Sequence, residues 1–152
     1  MSLLGLFIFF VLCILQILDY SLTHSVKIAN IAEEGNFEWQ IDLVKVDRNY
    51  VAITGWAFVP GQEPNNMAVN VVLHNTSTKE AFKLPTVLVD QENINENYGE
   101  DINYSKSGFL SRVNKHFLKL DKYSYEVFLE FIYQDQVFYI ETDEILTGLQ
   151  GE

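Results

Sequence analysis

The sequence predicts an all-β fold: a two-sheet antiparallel β-sandwich of Ig-like type, with about seven or eight short strands, preceded by one N-terminal apolar helix. Three observations predict it. Aromatic residues make up 14% of the chain and gather in short runs with Val and Ile, residue types that suit a pleated, half-buried surface. Polar turn-forming stretches separate those runs at near-regular spacing. Two segments, Met67–Leu73 and Tyr123–Tyr133, alternate apolar and polar with the period of a strand. A small barrel is the alternative way to close such a set of strands.

The elements follow in order. Leu3 to Leu18 is apolar except for Gly5 and Gln16, and extension to Leu22 reaches spanning length at the cost of including Asp19. Residues 1–22 are therefore expected to be a transmembrane anchor or a signal segment. The membrane contact would run through residues 3–22. No Lys or Arg precedes the run, and cleavage after Ser25 or Ala32 would use only weak sites. Residues 23–36 read as a linker, with Glu33, Glu34 and Gly35 as breakers, and residues 37–152 as the β-sandwich domain.

Within that domain, strands are expected over Phe37–Val46 and Tyr50–Phe58, separated by Asp47-Arg48-Asn49. Pro60 to Asn66 is a polar loop. In Met67–Leu73, Met67, Val69, Val71 and Leu73 share one face. Asn75 to Thr78 turns the chain into Lys79–Leu84, a hairpin, and Thr86–Val89 is a further short strand. Asp90 to Ser107 reads as the longest irregular stretch. Gly108–Val113 places Phe109, Ser111 and Val113 together. Tyr123–Tyr133 returns through Gln134-Asp135 into Gln136–Thr142. The expected core comprises Val69, Val71, Tyr125, Val127, Leu129 and Phe131.

Three pieces carry a resemblance: Ile53-Thr54-Gly55-Trp56-Ala57-Phe58, then Ser107-Gly108-Phe109, then Leu120-x-x-Tyr123-x-Tyr125-x-Val127. Together they resemble small extracytoplasmic β-sandwich modules of bacterial cell-envelope proteins, over residues 37–142. The resemblance implies fold and location, and it brings no catalytic residues. On physical grounds, Gly55 beside Trp56 suggests close backbone approach over a large ring. Tyr123, at a strand start, is placed to bond its hydroxyl back to the main chain, as in a tyrosine corner.

The formal net charge is -11. Phosphate binding needs clustered Lys and Arg, so nucleic acid is not an expected partner. The single cysteine, Cys13, lies in the apolar run, which excludes an intrachain disulfide and a thiolate metal site. His24, His74 and His116 lack the spacing of a metal or catalytic motif, and no Gly-x-Ser-x-Gly elbow is present. A non-catalytic module follows, anchored in the cell membrane by a single pass with its domain outside the cytoplasm, or secreted after cleavage. Its expected partner is an envelope protein or a glycan. Trp56, Tyr98 and Tyr104 are the candidate ligand-binding rings, with Trp39 also worth inspection. Trp56 is expected in the core, and Tyr98 and Tyr104 exposed. The alternative is a small enzyme or calcium-dependent accessory domain. Calcium favours hard oxygen ligands, and Asp90, Glu92, Asn95, Asn97, Glu100 and Asp101 supply them in one stretch.

Overall fold

A computed structural model describes Gly5, Phe10, Val11 and residues 24–32, 37–98 and 101–148. The strands are β1 (His24–Val26), β2 (Glu38–Val46), β3 (Tyr50–Phe58), β4 (Met67–Asn75), β5 (Ala81–Lys83), β6 (Thr86–Val89), β7 (Gly108–Asn114), β8 (Tyr125–Tyr133) and β9 (Gln136–Leu146). Two short helices, α1 (Ile94–Tyr98) and α2 (Lys115–Leu118), flank β7. The strands form two antiparallel sheets, ordered β1-β5-β4-β8-β9 and β2-β3-β7-β6. A two-layer sandwich is therefore the architecture. The expected N-terminal helix falls on residues outside the described ones, apart from Gly5, Phe10 and Val11. Among the described residues no helix is long and apolar enough to cross a membrane.

Alternation decides what lies between the layers. Val69, Val71 and Leu73 of β4 and Tyr125, Val127, Leu129 and Phe131 of β8 are all buried, facing Val51, Ile53 and Ala57 of β3 and Phe109 and Val113 of β7. Each buried aliphatic side chain contributes about 1.5–3 kcal/mol relative to exposure. The Gln134-Asp135 turn has positive φ at both residues, 50° and 60°, the twist that a two-residue hairpin requires. A Cβ at Gly55 would lie 2.1 Å from the Gln40 carbonyl oxygen and 2.9 Å from the Phe109 ring. The close approach is thus to β2 and Phe109 rather than to Trp56.

Four expectations are corrected. The ninth strand, β1, arises within residues 23–36, so part of the expected linker belongs to a sheet. The tyrosine corner is made by Tyr125, not Tyr123: the Tyr125 hydroxyl donates to the Leu118 carbonyl at 2.5 Å. Tyr125 is 3% exposed, whereas Tyr123 is only partly buried against the same core. The stretch Asp90–Ser107 is not simply irregular, since it forms α1 and a 3-10 turn at Ser105–Ser107 over buried Ile94 and Tyr104. Finally, β9 continues past Thr142 to Leu146, whose side chain is fully buried.

Residues 24–32 cross the outer face of the five-stranded sheet. β1 pairs with β5. Val26 and Ile28 then pack on a second apolar cluster of Val72, Ala81, Phe128 and Tyr139. The segment ends on β9, where the Ala32 N–H donates to Tyr139 O at 2.8 Å and the Tyr139 N–H donates to Asn30 O at 3.1 Å. Under this strap Glu130, 3% exposed, accepts from Lys83 Nζ at 3.1 Å and from the Asn70 amide at 3.3 Å. A carboxylate so buried requires such partners.

Candidate interaction surface

The outer face of the four-stranded sheet is divided. Strand register places Leu43, Thr54, Leu110 and Val87 in one row across all four strands, with Lys45, Ala52 and Arg112 in the next. A third row holds Gln40, Trp56, Gly108 and Val89. Trp56 and its neighbour Phe58, two residues on, are apolar on the solvent side of β3 and need a cover. Residues 90–107 supply it: Ile94 and Tyr104 complete a buried cluster with Trp56 and Phe58.

The cover is held by ring stacking and by local hydrogen bonds. Tyr104 stacks on Phe58 at 4.1 Å between centroids, and its hydroxyl accepts the Gly61 N–H at 2.8 Å. Trp56 stacks on Phe58 at 5.5 Å. Asn95 accepts the Tyr104 N–H at 2.7 Å and donates to Asn103 at 2.8 Å. Gln91 reaches Asp42 at 2.8 Å.

The other half of the face is open. Leu43 is 49% exposed, Val87 37%, and Phe117 of α2 62%. Tyr50, Pro85, Val87, Leu110, Arg112 and Phe117 line a groove of about 600 Å³. The Arg112 guanidinium sits 3.8 Å from the Tyr50 ring centroid, a cation–π contact. Among the described residues no carboxylate pairs with Arg112. In the β2–β3 turn the exposed Asp47 carboxyl is held below its ordinary range, first by the Arg48 N–H at 2.6 Å and then by the Tyr50 hydroxyl.

The residues expected to bind a ligand take different places. Trp56 is buried, as the apolar strand implied, but in the outer cluster rather than between the sheets. Tyr104, expected to be exposed, is 4% exposed because its ring fills the space over Phe58. Tyr98 is exposed and leans on Trp56 and Phe58. Trp39 is half-buried against the central core.

The oxygen-rich residues do not converge. Asp90, Glu92, Asn97 and Asp101 are exposed, Asn95 is engaged in the cap, and Glu100 lies outside the described residues. Among the described residues no three His, Cys, Asp or Glu side chains are grouped to hold a metal ion.

The groove residues Tyr50, Val87, Leu110, Arg112 and Phe117 were not singled out from the sequence. Leu110 was the available signal, being apolar on the side of β7 that alternation gives to solvent.

No known family model matches the chain, and no curated protein matches it. Among solved structures, a crystal structure of S. aureus TarS is similar at 16% identity and a TM-score of 0.46, covering 76% of this chain and 18% of that one.

Proposed function

We propose that the chain is a non-catalytic interaction module of the cell envelope, anchored in the membrane through residues 3–22, with its sandwich outside the cytoplasm. It binds a protein, or less readily a glycan, through the open half of the four-stranded sheet. The observation that carries this reading is the uncovered strip of Leu43, Leu110, Val87 and Phe117 beside Arg112. Apolar residues left together on a surface mark interaction sites more often than isolated ones do. Glycan stacking on Trp56 or Tyr104 is disfavoured, since both rings are spent on Phe58. The Ig-like character of the sandwich belongs to the same reading and is supported by the Tyr125 corner.

The anchored form is favoured over a cleaved one by the strap. Cleavage after Ser25 would sever β1, and cleavage after Ala32 would remove the cover from Val72 and Phe128. Protease added to intact spheroplasts tests the topology: the folded body should be digested without lysis. Digestion only after lysis would place it inside and end this reading.

A further inference from the structure

We infer that the open edge of β6 is a strand-addition site for an extended peptide of a partner protein, one with aliphatic side chains on both faces and a carboxylate beside the outer aliphatic residue. The inference rests on the interaction-module reading and names the partner's chemistry.

β6 pairs with β7 on one side only, and among the described residues no strand pairs its other side. The Arg112 N–H donates to Pro85 O at 3.4 Å, which fixes the phase of the ladder. Hydrogen-bonded pairs recur at every second residue of an antiparallel pair, so Val87 and Val89 point their main-chain groups at β7. Leu88 turns its N–H and C=O to the open edge. The β6 sequence, Thr86-Val87-Leu88-Val89, holds no charge, and Leu88 is 53% exposed. Edges are usually guarded by charge, Pro, a bulge or a covering segment, and within its four residues this one has no such guard.

A groove lies on each side of that edge. The outer one, about 600 Å³, is walled by Val87 and Leu110 with Arg112 at its rim. The inner one, about 200 Å³, is walled by Met67 and Leu88, with the charged Asp90 and Lys106 also lining it. An added strand sends successive side chains to opposite faces. Main-chain bonds then supply affinity while the two grooves read alternate residues. The outer groove has one charged lining residue, Arg112, which no described carboxylate neutralises. An acidic side chain two positions from the aliphatic one would meet it.

A second copy is the poorer occupant. A four-residue edge offers much less than the roughly 1,000 Å² of a stable interface. Each copy also carries a net charge of -11.

The test uses the full chain in detergent and a fluorescein-labelled peptide, Ser-Glu-Leu-Val-Leu-Glu-Ser, which offers leucines to one face and valine flanked by carboxylates to the other. Binding should saturate, and peptide should slow amide exchange at Leu88. Leu88→Ala, which trims the inner wall but keeps the outward N–H, should weaken binding less than Leu88→Pro. Leu88→Pro removes the outward N–H as well as the leucine side chain, a change that edge strands tolerate, and should weaken binding roughly tenfold. Arg112→Gln should weaken it severalfold, and the wild-type chain should sediment as a monomer.

Absent binding, unchanged exchange at Leu88, or equal affinity of a folded Leu88→Pro variant would overturn the site. Self-association abolished by Leu88→Pro would overturn it in favour of a second copy. Failure here, with the body still digested from outside spheroplasts, leaves the envelope module standing; protection from that protease defeats the module reading itself.

Discussion

The two sheets treat their edges and outer faces differently. In the five-stranded sheet one segment, residues 24–32, serves both: it extends β5 as β1, covers Val72 and Phe128, and caps β9 at Tyr139. Beyond that contact β9 carries Glu141, Asp143 and Glu144. In the four-stranded sheet, β2 is guarded by a bulge between Ile41 and Leu43 and by Glu38, Asp42 and Lys45. The other edge, β6, has neither charge nor cover, and the outer face beside it is apolar. The difference teaches that this fold disposes of apolar outward residues in two ways. Where they come as large rings, the chain folds over them; where they come as Leu110 and Val87 beside Arg112, it leaves them uncovered.

Four sets of substitutions can break or sharpen that contrast. The largest effect belongs to the covered rings. Trp56→Ala and Phe128→Ala should each cost about 3–5 kcal/mol in denaturant unfolding, because each leaves a cavity beneath a cover. A loss below 1 kcal/mol by the same titration, within ordinary surface scatter, would mean the strap or the cap bears no weight.

Next is the carboxylate under the strap. Lys83→Met should cost about 2–3 kcal/mol by leaving buried Glu130 with the Asn70 amide alone. Adding Glu130→Gln should restore part of it. A double variant less stable than the single would show that Lys83 acts through packing instead.

Tyr125→Phe should cost about 1–2 kcal/mol by orphaning the Leu118 carbonyl. Burial holds the Tyr125 phenol above its ordinary 10.0, so the folded state keeps its proton longer than the unfolded chain does. That stability is fully present below pH 10.0 and is lost as pH rises toward the folded value. Thermal melts across the alkaline range should show a shallower decline for Tyr125→Phe. An unchanged slope would remove Tyr125 as its source.

The smallest effect is expected on the open face. Val87→Ser combined with Leu110→Ser should shift stability by no more than about 1 kcal/mol, the scale of two surface substitutions. A loss comparable to Trp56→Ala would assign both residues to the core and erase the contrast.

Much of the sandwich was legible because two strands alternate cleanly. Every one of Val69, Val71, Tyr125, Val127, Leu129 and Phe131 is buried as their period requires. The covers were less legible. Val71-Val72-Leu73 and Val127-Phe128-Leu129 are apolar on both faces, which signals a strand covered twice, but nothing local says that residues 24–32 supply the cover. Tyr104 misled for a similar reason: its flanks are polar, while its ring is claimed by Phe58, distant in sequence. The open groove is assembled from β3, β6, β7 and α2, so only register brings its residues together.

Amide hydrogen exchange of Val87, Leu88 and Val89 in the full, peptide-free chain tests the unguarded edge most directly. The account predicts alternation: slow exchange at Val87 and Val89, whose N–H groups bond β7, and fast exchange at Leu88 between them. Leu88 as protected as its two neighbours would contradict it, because the edge would then already be paired.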